Sequence, residues 1–182
     1  HSIEGGAVCI GEKNPELMHK LYALKNFGIM GQESVELVGC NGKMNEFSAS
    51  MGLCNLRHIG EYIKEREKRY RHYESLLKEV PGLIFPKEQE GVEKNYAYLP
   101  VRILGEGRRN RIFSLLEKEG INPRKYFYPL ISDYACYKGK FSADGTPIAR
   151  RIAEEILTLP IYPDLDFSDI ERISVILQKE CS

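Results

Sequence analysis

The sequence predicts an α/β architecture that passes into α+β, and three features predict it. An apolar, strand-like run at Ala7-Val-Cys-Ile10 is followed by a helix start at Asn14-Pro15-Glu16. Phe47, Met51, Leu56, Ile59 and Ile63 then recur at three-to-five-residue steps, as one face of a long helix requires. Beyond Pro81-Gly82, short strand-like and helical patterns alternate to the end of the chain.

Taken in order, the first strand is expected at Gly6 to Ile10, with a turn at Gly11-Glu-Lys-Asn14. Proline at the first helical position opens the next helix, and Leu17, Leu21 and Leu24 give it an apolar stripe that ends near Asn26-Phe-Gly28. Gly28 to Cys40 is expected to be mostly loop. Asn45 is placed to cap a helix, with Glu46 at the positive end of its dipole, and that helix is expected to run to about Lys78. The run Lys64-Glu-Arg-Glu-Lys-Arg-Tyr-Arg-His-Tyr73 reads as a solvated face of paired charges rather than a basic binding patch.

After the Pro81-Gly82 stop come a short strand at Leu83 to Phe85 and a longer one at Asn95 to Leu104. Pro100 inside the second predicts an edge strand or a bulge. Arg108 to Glu119 forms an amphipathic helix with Ile112, Leu115 and Leu116 inward, closed by Gly120. Ile121 to Leu130 is extended, and Ser132 to Thr146 is loop with at most a short helix. A helix at Pro147 to Leu157, a strand or link at Thr158 to Tyr162, and a terminal helix capped by Ser168 and running to Gln178 complete the chain.

Composition narrows the functional classes. Lys and Arg number 26 and Asp and Glu 26, so the net charge of zero gives no support for nucleic-acid or membrane-surface binding. Five cysteines form no Cys-x-x-Cys pair, which predicts reduced thiols in a cytoplasmic protein and neither a disulfide framework nor a metal site. No apolar run approaches membrane-spanning length. His1-Ser-Ile-Glu-Gly-Gly6 carries no initiator methionine and no signal-peptide pattern, so the chain is expected to begin mid-domain. His1, His19, His58 and His72 are scattered, Asp164 and Asp166 follow a proline-rich turn, and the cysteines read as small apolar fillers. No phosphate loop, dinucleotide fingerprint or nucleophile elbow is present.

Two places remain as candidate sites. Gly39-Cys-Asn-Gly-Lys43 is a polar loop held against a helix start, a good place for an anion, with Asn41 and Lys43 as its donors. Arg124-Lys-Tyr-Phe-Tyr-Pro129 places a guanidinium, an ammonium and phenols in one extended stretch. Strand alternation would point Arg124, Tyr126 and Tyr128 one way, a face suited to a phosphorylated or hydroxyl-rich ligand. On pattern alone, an ordinary strand with aromatic packing competes with that reading.

Five segments standing in order carry a resemblance. They are Ser2-Ile-Glu-Gly-Gly-Ala7, Leu24-Lys-Asn-Phe-Gly-Ile29, Gly39 to Leu53, Arg124-Lys-Tyr-Phe-Tyr-Pro-Leu130 and Ile156-Leu-Thr-Leu-Pro-Ile-Tyr162. Together they resemble the carboxy-terminal half of a nucleotide-sugar aminotransferase of the DegT/DnrJ/EryC1/StrS family, over nearly the whole chain. The resemblance implies a fold-type I enzyme that uses pyridoxal 5′-phosphate and acts as a homodimer. Its usual reaction passes an amino group from glutamate to a keto sugar on a nucleotide diphosphate. On that basis residues 1–43 are a remnant of the cofactor-binding large domain, 44–80 an interdomain helix, and 81–182 a small α+β carboxy-terminal domain.

The resemblance also implies roles. Asn41, then Lys43, matches the segment that reaches the dimer partner's cofactor phosphate. Arg124, Tyr126 and Tyr128 match the strand bordering the sugar-nucleotide site. The family's imine-forming lysine stands a few residues before the Glu-Gly-Gly motif, so it is assigned to no residue here, and this polypeptide alone is expected to be inactive. The Tyr-Phe-Tyr-Pro-Leu form is closest to enzymes that aminate a dTDP-4-keto-6-deoxyhexose. A 3-aminotransferase, a dehydratase in which histidine replaces the lysine, and a non-catalytic fragment that only folds and associates are the alternatives.

Overall fold

A computed structural model describes residues 2–11, 14–137, 139–142 and 145–181. The expected 11–14 turn includes Glu12 and Lys13, and the expected 132–146 loop includes Lys138, Ala143 and Asp144; these five lie outside the described residues, as do His1 and Ser182. The chain divides into two compact units, one ending at Ile59 and the other beginning at Gly60.

In the first unit, α1 spans Pro15–Lys25, and Asn14 Oδ1 accepts from the Leu17 N–H at 3.0 Å as its cap. Its expected apolar stripe is not buried: Leu17 is exposed, Leu21 and Leu24 are half-buried, and Ala23 is the buried residue. Gly6 to Ile10 forms no strand, contrary to expectation. A strand exists only through ladder partners, and in this unit the described residues offer only isolated bridges, Asn26 with Asn41 and Ile29 with Val35.

The predicted single helix of about 45–78 is two. Helix α2 covers Glu46–Leu56, with Asn45 Oδ1 accepting from the Ser48 N–H at 2.8 Å. Helix α3 covers Ile59–Leu77. Between them the Arg57 and His58 N–H groups donate to Cys54 and Asn55 carbonyls, at 3.2 and 3.0 Å. That switch from four-residue to three-residue spacing tightens and ends α2 without any proline. The apolar side chains of α2 stay largely outside, Phe47 at 83% exposure.

The second unit carries the core. Tyr70, Tyr73 and Leu77 of α3 are buried with residues of a three-stranded antiparallel sheet, β1 (Leu83–Ile84), β2 (Leu99–Ile103) and β3 (Ile156–Leu159), in the order β1-β2-β3. Leu99, Val101 and Ile103 point inward by strand alternation. Helices α4 (Arg108–Lys118) and α6 (Phe167–Cys181) add Ile112, Leu116, Ile170, Ile173 and Leu177, and α5 (Pro147–Glu155) packs on α4 and β2. The paired-charge face of α3 is as expected: Glu65 meets Lys68 at 2.5 Å and Arg69 at 2.8 Å, and Arg71 meets Glu74 at 2.8 Å. Arg66 departs from it, buried and donating to the Asn95 carbonyl at 2.9 Å.

Boundaries shift where strand and helix compete. β3 starts at Ile156, two residues before the expected Thr158, because the β-branched and aliphatic run Ile156-Leu-Thr-Leu159 pairs with β2 instead of extending α5. Pro100 lies in the central strand, not an edge one. Its partner Thr158 spends both its N–H and its carbonyl on Arg124, so the Pro100 nitrogen faces away from β3, and β1 pairs no further than Arg102. Pro100 is thus edge-like at its own position. Ser168 is not a cap, since α6 already begins at Phe167. Two 3-10 turns, Ile131–Asp133 and Ala135–Tyr137, occupy the loop that follows Leu130.

Candidate functional site

The two candidate groups fall in different units. Asn41 and Lys43 belong to the first, where the loop from Asn26 to Gly42 folds back on the end of α1. The Phe27 N–H donates to the Cys40 carbonyl at 3.0 Å, the Cys40 N–H to Leu24 at 2.9 Å and the Gly42 N–H to Lys25 at 2.8 Å. This close approach demands glycine: a Cβ on Gly39 would lie 2.3 Å from the Gly28 nitrogen. Asn41 is therefore fixed by backbone on both sides while its own side chain is exposed. Lys43 Nζ donates to Asn26 Oδ1 at 3.1 Å and sits 4.1 Å from the centre of the Phe27 ring. Those partners are neutral, and no carboxylate pairs with Lys43 among the described residues, so its charge remains available to an anion.

Arg124, Tyr126 and Tyr128 lie in the second unit, on the segment that pairs with β3 through the Arg124–Thr158 bridge. The expected alternation breaks. The Tyr128 N–H donates to the Lys125 carbonyl at 2.7 Å, closing a turn at Tyr126-Phe127 where a straight strand was predicted. Arg124 and Tyr126 stay together, Nη1 donating to the phenol oxygen at 2.5 Å. They line an open cleft of about 460 Å³ with Tyr98, Asn122, Thr158 and Tyr162. Tyr128 leaves this cleft. Its ring sits 4.7 Å from the Arg109 guanidinium carbon, and it lines a neighbouring open groove with Arg124, Tyr126, Phe127 and Phe113.

The surfaces have a definite chemistry. Tyr126 stacks on Phe127 with centroids 4.6 Å apart and planes at 9°, and Tyr98 meets Tyr126 edge-on at 5.8 Å. An aromatic strip of this kind can receive a flat ring. Arg124 has no carboxylate partner among the described residues and is exposed beside the strip. Lys125 sits in the same turn, its ammonium 4.1 Å from the Phe113 ring. Burial, then the neighbouring Arg109 charge, push the Lys125 pKa below the usual lysine value. Cation and ring together suit a ligand with an aromatic base and a phosphate. Among the described residues no group of His, Cys, Asp and Glu is arranged to hold a metal ion. Cys9, Cys40, Cys54 and Cys136 are exposed thiols rather than apolar fillers; Cys181 alone of the five is buried.

Sequence reading missed Tyr98, Asn122 and Arg109. Tyr98 joins the cleft from a segment distant in sequence, which no local pattern records, whereas Asn122 stands two residues before Arg124 at the spacing of one alternating face. Arg109 was hidden among three arginines at 108–111, read only as the polar side of α4.

The family model described as the DegT/DnrJ/EryC1/StrS aminotransferase family matches residues 2–178. The chain belongs to this family. Members similar to it include a dTDP-4-amino-4,6-dideoxy-D-glucose transaminase of Escherichia coli, 38% identical over 181 residues and covering 97% of this chain. A transaminase of the same name from Shigella dysenteriae is 31% identical over 94% of this chain. Among solved structures, DesV of S. venezuelae, in complex with a ketimine intermediate, superposes with a TM-score of 0.83 at 25% identity over 93% of this chain. DesI, determined with its TDP-sugar product, gives 0.79 at 28% identity over 87% of this chain. The chain spans about half the length of each: 48% and 47% of the two transaminases, 45% of DesV and 41% of DesI. No helix among the described residues is long and apolar enough to cross a membrane.

Proposed function

We propose that the protein acts in pyridoxal-phosphate-dependent transfer of an amino group from glutamate to a dTDP-linked 4-keto-6-deoxyhexose. In this reading the 182 residues supply part of a cytoplasmic homodimer's active site. The observation that carries it is the 38% identity to the Escherichia coli dTDP-4-amino-4,6-dideoxy-D-glucose transaminase across 97% of the chain. Pyridoxal phosphate, when bound, supplies the electron sink through which the amino group moves.

The chain's own residues have narrower tasks. Asn41 donates its amide to the cofactor phosphate, and Lys43 adds a positive charge within the same loop. The donor set fits a phosphate dianion: an exposed amide on a fixed backbone, and an ammonium held only by neutral partners. Arg124 forks onto the sugar nucleotide's diphosphate, while Tyr126 and Tyr128 border the base and sugar. No lysine is assigned to hold the cofactor: the first in the sequence is Lys13, which follows Glu4-Gly-Gly6 rather than preceding it.

The test is Asn41→Ala in the protein as encoded, with whatever sequence flanks these residues. Loss of one hydrogen bond to a charged acceptor, about 1.5–3 kcal/mol, predicts pyridoxal phosphate retention weakened by roughly 10- to 150-fold with an unchanged melting temperature. Unchanged retention would remove Asn41 from the site.

A further inference from the structure

One face of α4 holds the Lys125–Tyr128 turn by two contacts of opposite polarity. At Arg109 the cation is on the helix and the ring on the turn, 4.7 Å from guanidinium carbon to the Tyr128 centroid. Four residues on, at Phe113, the ring is on the helix and the cation on the turn, with Lys125 Nζ 4.1 Å from the centroid. Residues four apart share a helix face, so the two contacts form a single clasp.

Arg109 is costly where it stands. It is 2% exposed, and neither Nε nor Nη1 has a hydrogen-bond partner among the described residues. Glu154 is the acid whose charge favours it; Lys125 is a second cation nearby. Packing alone would be served as well, or better, by an apolar side chain of similar volume. Besides the attraction of Glu154, the positive charge is used by the contact to the Tyr128 ring face. Tyr128 itself remains 50% exposed, so the clasp pins the back of a ring whose other surface borders the open groove.

We propose that Arg109 is a positioning residue: with Phe113 and Lys125 it fixes the Tyr126–Tyr128 turn in the geometry that receives the sugar nucleotide. This rests on the proposed function for the identity of the ligand, but not for the clasp itself. The arrangement trades stability for order in the turn.

The test uses Arg109→Met and Arg109→Lys in the protein, with thymidine 5′-diphosphate as probe. For Arg109→Met the melting temperature should hold or rise. Amide exchange at residues 125–130 should accelerate at least about tenfold, and probe affinity should fall by a similar factor, as loss of a desolvated cation–π contact implies. Arg109→Lys, which keeps a cation for the ring, should restore most of both. Unchanged exchange and affinity in Arg109→Met would overturn the proposal, as would losses explained by global melting. If the unaltered protein binds no probe while exchange at 125–130 still depends on Arg109, the clasp stands and the sugar-nucleotide reading falls.

Discussion

Gly28→Ala is expected to dismantle the loop that presents Asn41. Gly28 has φ +81, a conformation that costs a side chain about 1 kcal/mol. The larger effect is steric: its added Cβ would lie 1.7 Å from the Leu37 carbonyl oxygen and 2.6 Å from the Leu37 carbonyl carbon. Both are backbone atoms, so no rotamer change relieves the overlap and the 36–40 segment must move away. That segment's retreat breaks the Glu36 N–H to Gly28 carbonyl bond at 3.1 Å and loosens the Cys40 tie to Leu24. Together these place the cost at about 3–5 kcal/mol, the range of severe backbone and packing lesions. Hydrogen exchange is the measurement: the Phe27, Cys40 and Gly42 amides should lose protection while amides of β2 and β3 keep theirs. Retained protection at Cys40 would show that the loop does not depend on the close approach.

Leu157→Ala is expected to destabilise the second unit by about 2–5 kcal/mol, the usual cost of deleting a buried leucine side chain. Leu157 is fully buried on β3, opposite Val101, within the cluster formed by the sheet, α3, α4 and α6. Against a typical total of about 5–15 kcal/mol, that is a large share. The consequence reaches the candidate site, because β3 also carries Thr158, whose backbone holds Arg124 through bonds of 3.0 and 2.7 Å. Urea unfolding should show the midpoint fall with the slope unchanged. A loss below about 1 kcal/mol would mean that the site can collapse around the missing methyl groups, contrary to a closely packed core.

What the sequence disclosed was local. Pro15 opens α1 and Asn45 caps α2 as expected, Gly120 adopts φ +74 after α4, and the charges of α3 pair three and four residues apart. Each depends on neighbours within a helical turn, so periodicity and residue chemistry suffice. Failures came where a distant segment decides. The strand expected at Gly6 to Ile10 has no ladder partner among the described residues, and an apolar alternation cannot say whether one exists. The apolar side chains of α2 predict a buried face, yet Phe47 and Leu56 are 83% and 64% exposed. Pro100 predicts an edge, which holds for the residue and not for the strand, because the neighbouring strand is too short to reach it.

The candidate site divided in the same way. Asn41 and Lys43 stand together as expected, because both belong to one short loop. Arg124 and Tyr126 remained partners, but Tyr128 was drawn to Arg109 by a turn that simple alternation does not foresee. The family was legible because five short segments in order outweigh any one of them, and the match to residues 2–178 agrees.

The most direct measurement of the central claim is chemical-shift mapping by NMR during titration with thymidine 5′-diphosphate. If the chain forms one wall of a sugar-nucleotide cleft, the shifted amides will cluster at residues 122–128 and 158–162, and Arg124→Ala will weaken binding at least about tenfold, as loss of a charge-assisted phosphate contact requires. Shifts centred instead on the charged groove of Glu67, Arg71 and Glu88, or indifference to Arg124→Ala, would contradict it.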